Sequence, residues 1–322
     1  MHCERMDLLD NDAVMKHIYI YSPSGAVRDK AAFKRGVLRL RALGHEVEID
    51  TDALSSHMRF AGDDDARLAS IHRAAASGAN VALISRGGYG LTRILDRIHY
   101  TKVARAIEKG TEFVGISDFT AFQLALLAKT EAVTWAGPAL CEGFGALPEP
   151  DDIMADCFND FLVGRGEGAG WRQSVNSAMD LKLRDSVLWG GNLSLVCGLV
   201  GTPYLPEIKG GILFLEDVGE HPYRVERLLT QLLNAGVLAK QKAILIGQFT
   251  EFKLTPHDRG YKMVTVIDWL RSRTKVPVLT NLPYGHVQTK VLLPVGAKVD
   301  LLVEGRDALC LWGALGHHAP KD

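Results

Sequence analysis

The sequence predicts an α/β protein with an N-terminal domain, built on a parallel sheet with flanking helices, and a smaller C-terminal domain of mixed α/β type. Apolar strands alternate with helical segments from Ile18 to Lys129, an order typical of parallel sheets covered on both faces. A Gly- and Ser-rich stretch at residues 164–180 interrupts this order. A length of 322 residues with 47% hydrophobic content favours about two domains. We expect domains at residues 1–165 and 181–322, joined by a linker at 166–180.

In the N-terminal domain, short apolar runs predict strands, and the segments between them have the apolar spacing of helices. The first strand leads into a Pro/Ser/Gly turn, and the first helix closes at Gly44. The predicted strands lie at residues 18–21, 45–49, 80–86 and 111–117. The predicted helices lie at residues 29–44, at 63–78, directly after the sequence GGYG, and at 119–129.

The same patterns predict strands and helices in the C-terminal domain. Because the strands and helices alternate less regularly there, we expect a mixed sheet. Its predicted strands lie at residues 186–190, 210–217, 242–249, 276–280 and 298–303. Its main helices are expected at residues 221–236 and 260–273.

Composition argues against several classes of function. Lys and Arg total 37 against 38 Asp and Glu, so no overall basic field attracts nucleic acid or anionic lipid. The N-terminal sequence MHCERMDLLDNDAVMK lacks the apolar stretch of a secretory signal, and no segment approaches the roughly 20 apolar residues of a membrane span. We therefore expect a cytoplasmic protein without nucleic-acid or membrane partners.

The cysteines favour reduced, mostly buried thiols over disulfides or zinc, because they are odd in number, scattered and without a CxxC pair. We expect neither a metal nor another cofactor. The five positions are Cys3, Cys141, Cys157, Cys197 and Cys310.

Ser117 lies in the sequence FVGISDFTAFQLALLAK, where an apolar strand gives way to a helix. Gly115 would permit the tight strand-to-helix turn that exposes a nucleophilic hydroxyl, and the amide of Asp118 would then face an oxyanion. The match to G-x-S-x-G is partial, because Phe119 replaces the second glycine. Taken alone, the segment favours Ser117 or Asp118 as an ordinary helix cap.

The sequence SRGGYG offers a second candidate site after the preceding strand. Gly87 and Gly88 allow main-chain amides to approach a ligand, and Arg86 could pair with a carboxylate. Tyr89 is grouped with them as a substrate-binding candidate. The spacing is not that of a phosphate-binding loop, and a simple turn is the alternative explanation.

Two further strand ends carry an acid and a base. Glu216 ends an apolar strand, where a carboxylate can orient a catalytic histidine, although helix capping would also explain it. His286 follows a Pro/Gly loop after another strand, a position where loops usually carry function. Asn192, in a Gly-Gly-Asn turn, is either a helix cap or a substrate-binding residue.

Together, Ser117, Glu216 and His286 supply the nucleophile, acid and base of acyl-transfer chemistry. At these residues the sequence resembles the LD-carboxypeptidase family of serine peptidases, which includes muramoyltetrapeptide carboxypeptidases and microcin C immunity peptidases. The matching blocks are SPSG at 22–25, RGGYG at 86–90, GISDFTAFQLAL at 115–126, AGP at 136–138, GGNLS at 190–194, GT and PY at 201–204, LFLEDVGE at 213–220 and PYGH at 283–286.

The resemblance implies a role for each matching residue. Ser117 would be the nucleophile, Glu216 the triad acid and His286 the base, with an oxyanion hole formed by the main-chain amides of Asp118 and Gly88. The implied substrate is a murein tetrapeptide that loses its terminal D-alanine during peptidoglycan recycling. Homodimers are common in the family, so a homodimer is expected.

Two alternatives stay open at this point. A microcin C immunity-type peptidase would share the triad but cleave a peptidyl-nucleotide. A noncatalytic protein that binds a small anion would use Arg86 and the GGYG turn, with Ser117 serving only as a helix cap.

Overall fold

The computed structural model describes residues 15–174 and 178–313, which form two sheets with helices packed against them. Residues 1–14, including Cys3, lie outside the described residues. In the first sheet, the strand order is β11-β5-β4-β3-β1-β2, and all neighbours are parallel except β11 with β5. Its strands are β1 (His17–Tyr21), β2 (Glu46–Ile49), β3 (Val81–Ile84), β4 (Glu112–Gly115), β5 (Thr134–Ala136) and β11 (Leu293–Val295).

The second sheet is mixed and has the order β10-β9-β8-β7-β12-β13-β6. Strands β7 to β10 run parallel, whereas β12, β13 and β6 add antiparallel neighbours. Its strands are β6 (Gly168–Arg172), β7 (Leu181–Asn192), β8 (Ile212–Val218), β9 (Ala243–Thr250), β10 (Val278–Leu279), β12 (Lys298–Glu304) and β13 (Asp307–Leu311).

Aspartate side chains cap three of the helices that cover these sheets. Asp29, Asp63 and Asp151 each accept a hydrogen bond from a main-chain N–H of the first turn. The helices are α1 (Lys30–Ala42), α2 (Asp64–Ala76), α3 (Tyr100–Glu108), α4 (Phe119–Thr130), α5 (Asp152–Val163), α6 (Leu193–Gly198), α7 (Pro222–Asn234) and α8 (Met263–Arg273).

Helix α4 lies at the centre of the molecule. It is buried from Phe119 to Leu127, because apolar residues cover all of its faces. A helix buried in this way has little freedom to shift, so its first turn is held firmly at the end of β4.

The predicted α/β class is confirmed, and the differences are local. The segment after GGYG forms two short 3-10 turns, Leu91–Arg93 and Leu95–Arg97, before α3 begins. Part of the predicted linker forms β6, which pairs with β13. Its buried residues Ala169 and Trp171 alternate with exposed ones, as in a strand with one face on the core. The second sheet has one strand more than the first within the described ranges. The division at residues 165 and 181 stays a prediction.

The cysteines of the described ranges are free thiols, and all but the half-buried Cys157 are buried. Burial raises the pKa of Cys141, Cys197 and Cys310 to about 12, which keeps these thiols protonated and poorly nucleophilic. Within residues 15–174 and 178–313, no helix combines the length and apolar character needed to cross a bilayer.

Glu112 links β4 to β5, because it accepts a hydrogen bond of 2.9 Å from Nε1 of Trp135. Burial raises the pKa of Glu112 from 4.5 to about 7, and the Trp135 bond opposes the rise. The contribution of protonated Glu112 to the stability of the fold is therefore complete below the unfolded-state pKa. It is lost as the pH rises through the folded-state pKa.

We expect the free energy of unfolding of the wild type, relative to Glu112→Gln, to decrease between pH 4.5 and 7. The decrease should reach at most about 1.4 kcal/mol per pH unit. Urea unfolding of both proteins at several pH values measures it, with Glu108→Gln on the exposed face of α3 as control. A difference that stays constant with pH would contradict the burial of an acid at this position.

Candidate active site

Ser117 lies at the tight turn between β4 and α4. Its φ angle of 69° is in the left-handed region, which residues with side chains adopt uncommonly. Gly115 makes the turn possible, since a Cβ there would lie 2.5 Å from Cδ1 of Phe119. The backbone thus has the geometry of the elbow suggested by the sequence, and Ser117 lines a cleft.

The GGYG turn packs directly against Ser117. A Cβ on Gly87 would lie 2.4 Å from Cβ of Ser117 and 2.7 Å from its Oγ, so only glycine fits there. Gly88 has a φ of 124°, which also requires glycine. The carbonyl of Gly87 accepts a hydrogen bond of 3.2 Å from the amide of Gly25, which ties the turn to the loop after β1.

Asp118 holds three loops of this region together. Its buried carboxylate accepts hydrogen bonds from Oγ of Ser24 at 2.6 Å and from the amide of Leu91 at 2.9 Å. Burial raises the pKa of Asp118, and these two bonds oppose the rise. Neither the amide of Asp118 nor that of Gly88 donates to another described residue. Both amides therefore retain a donor for the predicted oxyanion hole.

Glu216 and His286 form a close pair in the C-terminal half. Nδ1 of His286 and Oε2 of Glu216 are 2.7 Å apart, and the Glu216 side chain is fully buried. The pairing of β8 with β9 shifts register between Leu215 and Asp217, which places Glu216 at an irregularity of the sheet. Gly285 passes close by, since a Cβ there would lie 3.2 Å from Oε2 of Glu216.

The charge of Glu216 tunes the imidazole of His286. Burial, the largest effect, lowers the pKa of His286, but the hydrogen bond and the charge of Glu216 outweigh it and raise the pKa above 6.5. Because Glu216 contacts Nδ1, the other ring nitrogen, Nε2, is left for a second partner.

Asn192 differs from its predicted role as a substrate-binding residue. Its side chain is buried behind the acid, where Nδ2 donates to Oε1 of Glu216 at 3.3 Å and to Oδ1 of Asp217 at 2.8 Å. Its Oδ1 caps α6 through the amide of Leu195. These bonds use its polar atoms, and it is not among the residues that line the cleft. Asn192 supports Glu216 instead.

The cleft has a volume of about 870 Å³ and lies where the loops of both sheets meet. The strand order of the first sheet reverses between β1 and β3, and ligands of parallel sheets bind beside such a reversal, at the carboxyl ends of the strands. Its lining includes Arg86, Gly87, Gly88, Tyr89, Ser117, Glu142, His286 and Lys290.

Arg86 and Tyr89, which the sequence singled out as substrate-binding candidates, line the cleft. Nη1 of Arg86 donates to the carbonyl of Ala26 at 3.4 Å, and its Nε is 3.6 Å from Oε1 of Glu142. Tyr89 is 43% exposed, and its ring centroid is 6.0 Å from that of Phe60. Tyr89 therefore forms an open wall of the cleft, whereas Arg86 is partly engaged by the protein.

Sequence reasoning did not single out Glu142 or Lys290 as residues of the cleft. Glu142 lies in a short helical turn, Leu140–Phe144, with no distinctive motif. Lys290 lies shortly after His286 within the same loop, and this proximity is the signal that could have identified it. Among the described residues, no three His, Cys, Asp or Glu side chains come together as metal ligands.

Comparison with known proteins gives matches over both halves of the chain. Residues 18–137 match the model of the LD-carboxypeptidase N-terminal domain, and residues 185–301 match that of the LD-carboxypeptidase C-terminal domain. A candidate carboxypeptidase from Synechocystis is 30% identical over 88% of this chain and 90% of its own.

Two further proteins are similar to this chain. The crystal structure of muramoyltetrapeptide carboxypeptidase from Oxalobacter formigenes is 38% identical and superimposes with a TM-score of 0.83, covering 92% of this chain and 98% of that one. The microcin C7 self-immunity protein MccF of Escherichia coli is 30% identical over 58% of this chain and 62% of its own.

The structure predicts how the histidine will titrate. Replacing Glu216 by Gln removes the charge that raises the pKa of His286, while burial continues to lower it, so the pKa should drop below that of the wild type. NMR titration of the imidazole measures the change, with Glu220→Gln in the turn after β8 as control. An unchanged pKa in Glu216→Gln would contradict the observed pairing.

Proposed function

The chain belongs to the LD-carboxypeptidase family of serine peptidases, and we propose that it removes the terminal D-alanine from murein tetrapeptides in the cytoplasm. The observation that carries this proposal is the 2.7 Å contact between His286 and the buried Glu216, on the same cleft as Ser117. The similarity to a muramoyltetrapeptide carboxypeptidase supports the choice of substrate.

In the proposed reaction, Nε2 of His286 accepts the proton of the Ser117 hydroxyl. Oγ of Ser117 attacks the carbonyl of the L-to-D bond between meso-diaminopimelate and D-alanine. Glu216 keeps the imidazole in the required tautomer through Nδ1 and stabilises its cationic form. The carbonyl oxygen becomes negatively charged and is bound by the amides of Asp118 and Gly88.

The second half of the reaction uses the same residues in reverse. His286 gives its proton to the nitrogen of the departing D-alanine, and the C–N bond breaks. Water, deprotonated by His286, then attacks the acyl-Ser117 ester, the ester C–O bond breaks to release the tripeptide, and His286 returns the proton to Oγ of Ser117. Neither step requires a metal or another cofactor.

The proposal includes a place for this reaction in the cell. Its substrate would be tetrapeptide released from the cell wall, so reactions that cut murein must precede it in peptidoglycan recycling. We also propose that the protein forms a homodimer.

Single substitutions of the triad test the function. We expect Ser117→Ala and His286→Ala to lower kcat/KM for D-alanine release from L-Ala-D-Glu-meso-diaminopimelyl-D-Ala by roughly 10⁴-fold or more. Glu216→Gln should also reduce it strongly, because the imidazole loses its orienting acid. Exposed Ser272→Ala and His257→Ala, in the C-terminal half, are the matched controls and should keep wild-type activity.

The other outcomes separate the alternatives. Release that persists in Ser117→Ala would contradict the nucleophile, and absence of release by the folded wild type would contradict the substrate. In the second case, cleavage of an aspartyl sulfamoyl nucleotide would indicate a peptidase like MccF, and no cleavage of either compound would favour an anion-binding protein.

The fit of Gly87 against the nucleophile gives an independent prediction. Gly87→Ala should lower kcat/KM by about 100-fold or more, because the new methyl group must displace Ser117 by a large part of an ångström. The matched control is Gly198→Ala, where a Cβ would meet nothing within 4 Å. Both activities are measured beside thermal unfolding curves. Wild-type activity in Gly87→Ala would contradict close packing of this turn on Ser117.

A further inference from the structure

Lys290 is a largely buried cation on the wall of the cleft. The residue is 3% exposed and lines the cleft. It forms no ion pair or hydrogen bond with any residue in the described ranges. Burial lowers the pKa of Lys290, while the charges of Glu142, Glu216 and Asp151 oppose the decrease. A buried ammonium is unfavourable without a partner, so a bound anion would stabilise it.

We propose that Lys290 binds the terminal carboxylate of the substrate and so restricts this enzyme to the free C-terminus of a peptide. The inference rests on the function proposed above, because it concerns the amino acid that the reaction releases. It assigns to Lys290 a task for which the sequence suggested Arg86.

The position of Lys290 fits the chemistry of the leaving group. His286 must protonate the nitrogen of the departing amino acid, and the carboxylate of that amino acid is separated from the nitrogen by a single carbon atom. The carboxylate must therefore lie close to His286 during the reaction. Lys290 follows His286 in the same loop and lines the same cleft. After burial and the contact with Glu216, its charge is the next effect on the pKa of His286.

Arg86 is less suited to this task, because the protein already engages it. Its guanidinium contacts the carbonyl of Ala26 and lies 3.6 Å from the carboxylate of Glu142. It also packs on the loop backbone, since a Cβ on Gly25 would lie 2.4 Å from Nη1 of Arg86. Arg86 therefore supports the glycine turn, and Lys290 is the buried cation of the cleft that lacks a partner among the described residues, whereas Arg28 and Arg59 of its lining are exposed.

The loop that carries Lys290 is held in place at several points. The carbonyl of Tyr284 accepts a hydrogen bond from the amide of Gln248 at 2.9 Å, and Thr289 donates to Asp151 at 2.6 Å. A preorganised cation loses little conformational freedom when it binds its ligand. Such a receptor can discriminate between a carboxylate and a neutral amide, because the amide leaves the buried charge unpaired.

The test compares two substrates that differ only at this group: the tetrapeptide with a free terminal carboxylate and the same peptide ending in D-alaninamide. The wild type should prefer the acid. Lys290→Met should lower kcat/KM for the acid by roughly 10- to 100-fold, the usual effect of losing a charge-assisted hydrogen bond, and change the amide little. Lys290→Arg should keep part of the preference.

Three further variants make the result specific. Lys298→Met, on the exposed side of β12, is the matched control and should behave as the wild type. Arg86→Met should lower both activities by a similar factor, because it disturbs the glycine turn. Lys290→Gln replaces Lys290→Met if thermal unfolding shows that the apolar variant does not fold.

The possible failures are distinguishable. Equal losses on both peptides in Lys290→Met, or an unchanged ratio of acid to amide, would overturn the role of Lys290 while the proposed function stands. A ratio that collapses in Arg86→Met but not in Lys290→Met would assign the carboxylate to Arg86. A folded wild type that cleaves neither peptide would overturn the proposed function and this inference with it.

Discussion

The contact between Nδ1 of His286 and Oε2 of Glu216 explains most features of the C-terminal half of the site, because the neighbouring residues support it. Glu216 is buried, which is costly for a carboxylate, and Asn192 offsets part of that cost by donating to its other oxygen. Asp217 beside it is satisfied in turn by Ser194 and by its own neighbour Val218. Gly285 leaves room for the imidazole loop to approach, so one hydrogen bond accounts for the residue types at several positions.

The two halves of the chain meet at β11. This strand follows the loop that carries His286 and Lys290, and it pairs antiparallel with β5 at the edge of the first sheet. The same loop begins after β10, at the edge of the second sheet. It therefore spans from one sheet to the other. In this way residues from distant parts of the sequence line the same cleft as Ser117, which projects from the first sheet.

The sequence predicted the elements whose signals are local. Strands β1 to β4 and helices α1, α2 and α4 have clear apolar periods, and Ser117, Glu216 and His286 stand out because each lies at or after the end of an apolar strand. Strands β5 and β11 escaped prediction, because three residues carry too little pattern to separate a strand from a loop. Asn192 was correctly recognised as a possible cap, but its bonds to two acids depend on the neighbouring strand. The burial of Lys290 also depends on tertiary packing, since lysine is usually exposed.

The late position of β11 in the sequence has a consequence for synthesis on the ribosome. Strands β1 to β5 emerge first and can assemble, but β5 remains an open edge until residues 293–295 follow. An unpaired edge of an apolar sheet readily pairs with other chains. The edge of the nascent N-terminal half at β5 thus stays unpaired, and open to pairing with other chains, while residues 137–292 are synthesised.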